Sequence, residues 1–356
     1  MGIRLVARCV HGLESVVAAE ILSIGLGSIV ELGHREIHCD TAQPETTVQR
    51  LRTADDAFVL VATTPDIGRT KGEVAALTEL VTELDAPALR EARRRCGGPA
   101  EFGAGIAVSA SFLGRRNFNR YDVEDTVGAA LSERLGLQYH SRRNGARPPD
   151  HCSGWRVVLD GRRARLMLRI AVQPLHRRAY KLQSVPGSLH PPVASAMVQL
   201  ADLRAGDWVL DPCCGAGTLL VEAMHAQPDA RYSGFDIDPA AVCAIRANAA
   251  NTLTTGSADA ANVPLPQGSI DRIVCNPPWG GQVPARGRLT HGSTPLWAEL
   301  RRLIATDGTA VVLIPDTREL AIAIRAGFHP THLQQIRNSG KHSFIVRLTP
   351  NRERNR

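Results

Sequence analysis

The sequence predicts an α/β protein: a doubly wound, mostly parallel sheet in its C-terminal half, preceded by a smaller α+β region. Three observations predict this. After about residue 190, short apolar runs alternate with helix-spaced runs, the pattern of parallel strands joined by crossover helices. One such run ends in DPCCGAGT, residues 211–218, where a strand hands over to a helix through glycines. Before residue 172 the alternation differs, with strands following strands and helices intervening irregularly.

A chain of 356 residues has room for two domains, and 44% hydrophobic with 22% charged residues is ordinary globular composition. No stretch reaches the roughly 18–20 apolar residues of a membrane span, and no leader pattern opens the chain, so the cytoplasm is the expected location. The eight cysteines form no CxxC pair, which argues against a disulfide framework or a zinc site; reduced thiols and no metal are expected. Net charge is +7, and nearly all of the positive charge is arginine, since Lys71, Lys181 and Lys341 are the only lysines. An arginine excess also arises in GC-rich genomes, so its distribution is the sharper signal. Residues 141–183 hold eleven Arg/Lys against two Asp, a basic segment that suits a polyanionic partner.

Residues 3–10 read as a strand, 12–25 as a helix ending in glycine, and 27–33 and 35–39 as two short strands. A short helix and a strand follow in 47–63, then a helical stretch over 72–95 and a loop over 97–105. A strand at 106–113 precedes an amphipathic helix at 122–136 with Asp122 as its N-cap. After a loop at 141–150, GWRVVLDG and RRARLMLRIA form a hairpin turning at Asp160-Gly161. These elements place an N-terminal α+β region at 1–171, a linker at 172–187 and a second domain at 188–350. In the second domain helices are predicted at 192–203, 217–225, 239–250, 295–305 and 317–326. Strands are predicted at 207–211, 231–236, 270–275 and 309–314, with two closing strands near 331–337 and 342–348. The tail NRERNR is expected to fray.

Four signals fall at successive strand ends of the second domain. In the turn Asp211–Thr218, Gly215 and Gly217 let a ligand lie against bare backbone, Pro212 stiffens it, and Thr218 opens the helix. The third glycine of a dinucleotide fingerprint and the GK[ST] of a P-loop are both absent. Asp211 would repel a pyrophosphate and suit an ammonium. Asp236, about 20 residues on, ends the next strand where it can accept ribose hydroxyls, and Asp259 follows where it can meet an adenine amino group. Finally Asn276-Pro277-Pro278-Trp279 ends a long strand. Each signal alone is weak; their order is specific.

DPCCGAGT, GFDID, SADAANVP and NPPWG resemble the motifs of class I S-adenosylmethionine-dependent methyltransferases over about residues 188–348, and the NPPW corner resembles those that methylate amino nitrogens. The resemblance implies a seven-stranded Rossmann-like sheet with S-adenosylmethionine across the first two strand ends. Asp211, Gly215 and Gly217 would then hold the methionine end, Asp236 the ribose and Asp259 the adenine, with Pro212 and Thr218 of the same turn among the cofactor-binding candidates. His190 and Pro191, where the chain enters the domain, join the cofactor candidates. In the N-terminal half, NFNRYDVEDTVGAALSERLGL, WRVVLDGRRARLMLRI and LHRRAYK are similar to the THUMP RNA-binding domain and its exit into a methyltransferase. That order resembles the RNA guanine-N2-methyltransferases, especially the tRNA enzymes.

This chemistry explains the residue types. A purine amino group is a poor nucleophile because its lone pair is delocalised. The Asn276 amide oxygen and the Pro277 carbonyl can accept from its two N–H bonds, Pro278 keeps that carbonyl fixed, and Trp279 offers a face to the base, worth about 1–3 kcal/mol. A flipped or single-stranded guanine fits. Arg115, Arg116 and Arg120 interleave with Phe118 and Tyr121, and Arg177, Arg178 and Lys181 lie at the domain junction, so these six are the RNA-binding candidates. The cysteines at 213, 214 and 275 read as packing thiols. The expected partner is structured RNA, tRNA first, and a monomer is the expected state. The alternatives are guanine N2 of 23S rRNA, adenine N6, a protein glutamine, or an RNA-binding module without catalysis.

Overall fold

The computed structural model describes residues 2–41, 47–280, 283–338 and 340–351. The tail expected to fray falls, after Asn351, outside the described residues. The chain packs as two units, Met1–Cys9 with Glu14–Leu175 and Val10–Leu13 with His176–Arg356.

The first unit carries strands β1 (Ile3–Arg8), β2 (Ser28–Gly33), β3 (Glu36–Thr41), β4 (Asp56–Pro65), β5 (Ile106–Phe112), β6 (Ser153–Leu159) and β7 (Arg163–Arg169), and helices α1 (Glu14–Ser23), α2 (Glu79–Thr82), α3 (Ala86–Arg95) and α4 (Arg120–Leu135). The strands form one seven-stranded sheet, β2-β3-β1-β4-β7-β6-β5. Only the β5–β6 pair is parallel. The β6–β7 hairpin turns at Asp160-Gly161 as the sequence predicts, because the Asp160 carboxylate accepts from the Arg162 and Arg163 N–H groups at 2.8 and 2.7 Å.

Two local expectations are corrected. The helix predicted over 72–95 is broken: a 3-10 turn at Lys71–Thr78 leads into α2, and α3 restarts on its own cap. Pro87 lies in the first turn of α3, and the Asp85 carboxylate accepts from the Ala88 N–H at 3.0 Å. The N-cap of α4 is Asn119, not Asp122. The Asn119 oxygen accepts from Tyr121 and Asp122 N–H, and Asp122 reaches back to the Asn119 N–H at 2.9 Å. That reciprocal box satisfies donors at both positions, worth about 1 kcal/mol.

The second unit holds α5 (Pro191–Ala201), β8 (Trp208–Asp211), α6 (Thr218–Ala226), β9 (Arg231–Asp236), α7 (Pro239–Asn248), β10 (Thr254–Ser257), β11 (Ile270–Cys275), α8 (Thr294–Leu303), β12 (Ile304–Ile314), α9 (Thr317–Arg325), β13 (Phe328–Asn338) and β14 (Lys341–Pro350). Its sheet runs β10-β9-β8-β11-β12-β14-β13. The first five strands are parallel, β14 runs antiparallel between β12 and β13, and β13 again points the same way as the first five. The order reverses between β8 and β11, the switch point where open α/β sheets take ligands at their carboxyl edge. β10 was not foreseen; Thr254–Ser257 is a polar, half-exposed edge strand with no apolar alternation to reveal it.

The core between β11, β12, β14 and helices α8 and α9 centres on Trp297 and Phe328, packed edge to face at 6.0 Å. Each large ring buries on the order of 150–250 Å², about 4–6 kcal/mol at roughly 25 cal/mol/Å². Residues 10–13 pair with the edge strand β13, where the Arg337 N–H donates to the His11 carbonyl at 2.9 Å. Among the described residues no helix is long and apolar enough to cross a membrane, and no group of three His, Cys, Asp or Glu is placed to hold a metal ion.

Candidate functional site

The carboxyl edge of the second sheet is built from four chain segments. In the first, β8 ends at Asp211 and the chain turns through Pro212–Gly217 into α6. Gly217 has φ +80°, and an added Cβ there would meet Ile245 Cγ1 at 2.4 Å, so only glycine fits this helix start. The turn is laced to the end of β9: the Cys214 N–H donates to the Phe235 carbonyl and the Gly215 N–H to Asp236 Oδ2, both at 2.9 Å. Asp236 Oδ1 also accepts from the Asp238 N–H at 2.9 Å. Half-buried Asp236 thus fixes the turn and leaves lone pairs over for a ligand's hydroxyls. Thr218 is buried in the first turn of α6.

Asp211 corrects an expectation. It is 1% exposed, beneath the turn rather than facing a ligand, and accepts from the Cys213 N–H at 3.0 Å. Burial pushes its carboxyl up to about 8, against the Cys213 N–H and the Cys275 thiol and with the charge of Asp236. It is therefore largely neutral at pH 7, a buried organiser rather than a counter-ion for an ammonium. Cys214 and Cys275 are buried, and desolvation raises both thiols well above the usual cysteine range.

The second segment carries Asp259. Its Oδ1 accepts from the Ala261 N–H and its Oδ2 from the Arg288 N–H, both at 2.9 Å. Gly287 packs on this carboxylate at φ +58°, and a Cβ there would lie 2.3 Å from Asp259 Oδ2. The chain following the Pro-Pro corner thus folds back onto the candidate adenine residue.

The third segment is the corner itself. Pro277 is buried, while Asn276, Pro278 and Trp279 are partly exposed. The Trp279 Nε1–H donates to the Leu313 carbonyl at the end of β12 at 2.9 Å, and the ring packs against the core. Its polar edge is spent on orientation, so only its remaining exposed face is left for a base. The Asn276 side chain makes no hydrogen bond to another described residue.

The fourth segment is residues 176–190, of which 176–187 were read as linker and pack with this unit. The Arg178 guanidinium donates to Glu222 Oε1 at 2.9 Å, and the Tyr180 hydroxyl to the same oxygen at 2.8 Å. Both charged side chains are buried, 8% and 0% exposed. Asn248 then ties the segment to the glycine turn: its Nδ2–H donates to the Gln183 and Ala216 carbonyls at 2.9 and 2.8 Å, and its Oδ1 accepts from the Gln183 N–H. Val185 reaches 3.6 Å from where a Gly215 Cβ would sit. His190 occupies the cap position of α5 with its ring 5.2 Å from that of His176, and Pro191 is buried in the first turn. Neither Glu222 nor Asn248 stands out in sequence, since each resembles an ordinary polar helical residue.

The RNA-binding candidates divide. Arg115 and Arg120 are exposed, and Arg120 lies over the Tyr121 ring at 4.7 Å. Arg116 is 4% exposed, held by Asp66 at 2.7 and 3.0 Å and by the Gly68 carbonyl, and Phe118 is 6% exposed. Arg177 is exposed. Arg178 is consumed by Glu222. Lys181 is half-buried 3.4 Å from the Leu189 carbonyl, and burial holds its ammonium below the usual lysine range. Arg116 and Arg178 are thus internal supports, because each meets a buried carboxylate that only the fold brings to it.

A parallel sheet reversing at β8 and β11, a glycine turn laced to an acidic strand end, and a rigid Asn-Pro-Pro-Trp corner define a class I methyltransferase. Residues 178–343 match the UPF0020 family, described as the RMKL-like methyltransferase domain. The tRNA (guanine(6)-N2)-methyltransferase of Thermus thermophilus is 30% identical over 270 residues, covering 73% of this chain and 77% of that one. The tRNA (guanine(10)-N2)-dimethyltransferase of Methanothermobacter thermautotrophicus is 33% identical over 174 residues, 44% of this chain and 47% of that one. The crystal structure of TrmN from Thermus thermophilus superposes with a TM-score of 0.76 at 26% identity, covering 98% of this chain and 99% of that one. The chain belongs to this family of RMKL-like methyltransferases, in the branch that includes the tRNA guanine-N2-methyltransferases.

Proposed function

We propose that this protein transfers a methyl group from S-adenosylmethionine to the exocyclic N2 of a guanine in tRNA. The observation that carries this reading is the Asn276 side chain, which makes no hydrogen bond to another described residue and stands beside a fixed Pro277 carbonyl. The residues present fit the cofactor: a bare glycine turn can lie along its amino acid end, the free lone pairs of Asp236 suit its ribose, and Asp259 with the backbone at 287–288 borders its adenine. His190 and Pro191, at the start of α5, are further candidates for holding it. When bound, S-adenosylmethionine supplies a methyl carbon made electrophilic by a sulfonium sulfur.

Asn276 Oδ1 and the Pro277 carbonyl accept hydrogen bonds from the two N–H groups of the guanine amino group, shape the nitrogen toward tetrahedral and so draw its lone pair out of conjugation with the ring. Bound along the glycine turn, the cofactor would supply the methyl group and keep the electron pair of its S–C bond on sulfur, while one of these acceptors guides the departing N2 proton toward solvent. Fixed acceptors act where positive charge develops and need no reorganisation. Arg115, Arg120 and Arg177 supply exposed positive charge for the RNA backbone. Guanine N2 is favoured over adenine N6, rRNA or a protein amide by the substrates named for both relatives.

The test is incubation with methyl-labelled cofactor and separate tRNA, rRNA and protein pools, followed by nucleoside mass spectrometry. N2-methylguanosine in the tRNA pool is expected. Label confined to protein, or recovered as N6-methyladenosine, would overturn the reading.

A further inference from the structure

Arg178 is committed to Glu222 and Lys181 is turned onto Leu189, which leaves Arg177 exposed in that cluster, and the second unit carries further exposed cations elsewhere. Two groups stand at its carboxyl edge. The first is on the segment after the Pro-Pro corner, anchored by Leu289, which is buried in the core. The main chain of this segment holds Asp259, while its guanidinium groups face outward. Arg288 is exposed and in no ion pair among the described residues; Arg286 is half-exposed, 3.3 Å from a half-exposed Asp238.

The second group is on the β13–β14 hairpin. Phe344 pairs with Ile314, the last residue of β12, and the ladder then continues through Ile336–Ser343 to Asn338–Lys341. Three further residues at about 3.3 Å each carry the hairpin roughly 10 Å past the strand ends. Arg337 and Lys341 are exposed there and in no ion pair among the described residues. Arg318, on the same edge, is neutralised by Asp316.

In the sheet order the acceptor corner after β11 lies between these groups, with Asp238 and Asp259 following β9 and β10 on one side and β14 on the other. From β9 to β14 is four strand spacings, about 19 Å at 4.8 Å each. That is the rise of five or six stacked nucleotides at about 3.4 Å. We infer that the catalytic unit carries its own two-sided phosphate clamp, in which Arg286 and Arg288 hold the RNA backbone on one side of the extruded guanosine and Arg337 and Lys341 hold it on the other. Phosphate contacts set register without reading sequence, and two of them flanking one nucleotide favour its extrusion from the stack. This inference rests on the RNA guanine-N2 reading above.

The test uses the full chain with Arg288→Gln, Lys341→Gln, the double variant, and Arg325→Gln as a control from the far end of α9. Initial rates on tRNA are measured across a salt series, together with calorimetric cofactor affinity. Expected is a raised KM for RNA with kcat nearly unchanged, cofactor affinity unchanged, and a salt slope of log(kcat/KM) reduced by about one per cation removed. Arg325→Gln should match the wild type. If the wild type methylates tRNA and the double variant keeps its KM and salt slope, the clamp is wrong and the function stands. Equal loss of cofactor affinity and RNA affinity would also overturn it, as a structural defect. If the wild type labels only protein, the function and the clamp fall together.

Discussion

Asp211→Asn changes one atom type at a buried position and should make the protein less sensitive to rising pH. Asparagine keeps an oxygen for the Cys213 N–H but cannot titrate. In the native protein the carboxyl holds its proton up to about pH 8, whereas the unfolded chain releases it near 3.8. Between those values the folded state binds more protons than the unfolded one, so this group makes stability fall as pH rises. Each pH unit in the window costs up to about 1.4 kcal/mol, so from pH 5 to 7 the wild type loses up to about 2.7 kcal/mol that the variant retains. At about 2–4 °C per kcal/mol for a unit of this size, the gap in Tm between variant and wild type should widen by up to about 5–10 °C. Scanning calorimetry or urea titration at pH 5, 6, 7 and 8 reads this directly. A gap that stays constant across the series would mean that Asp211 is ionised in the fold and that the argument from its burial is wrong.

Asn276→Ala should lower single-turnover methyl transfer by about 10²–10³, the loss typical of one preorganised hydrogen-bonding group, while calorimetric cofactor affinity holds; weakened cofactor binding with normal turnover would misplace the acceptor. Arg178→Met removes the guanidinium that faces the buried Glu222 carboxylate and should cost about 3–5 kcal/mol in urea unfolding. Replacing Glu222 by Leu in the same chain should recover part of that loss, and strictly additive losses would deny the pairing. Gly287→Ala puts a methyl against Asp259 at a left-handed φ and should weaken cofactor binding by about 1–3 kcal/mol; unchanged affinity would separate this segment from the adenine side.

The second unit was legible because its signals are local. Glycines 215 and 217, the acidic strand ends and the Pro-Pro corner each declare a strand-to-turn handover within a few residues, and their order declares the sheet. What sequence missed depends on distant partners. Arg115 and Arg116 are adjacent and chemically identical, yet Asp66, 50 residues away, takes Arg116 into the interior. Arg178 is likewise claimed by Glu222, 44 residues on. Asp211 was read by type as a ligand for an ammonium, but where a strand-end side chain points depends on the neighbouring strands. Residues 176–187 read as part of a linker because they are polar and irregular; hydrogen bonds to Asn248 and Glu222 hold them in the unit. β10 went unseen because an edge strand needs no apolar face.

Residues 10–13 have a consequence for how the protein is made. Gln334 hydrogen-bonds to the Gly12 carbonyl 322 residues away. At about 5–20 residues per second, a ribosome needs roughly 15–65 s between making the two. During that time Val10 and Leu13, fully enclosed in the finished protein, have no strand to lie on. The outer edge of the methyltransferase sheet is therefore covered by a piece of chain translated long before it, so that edge can be completed only after residue 337 has been made.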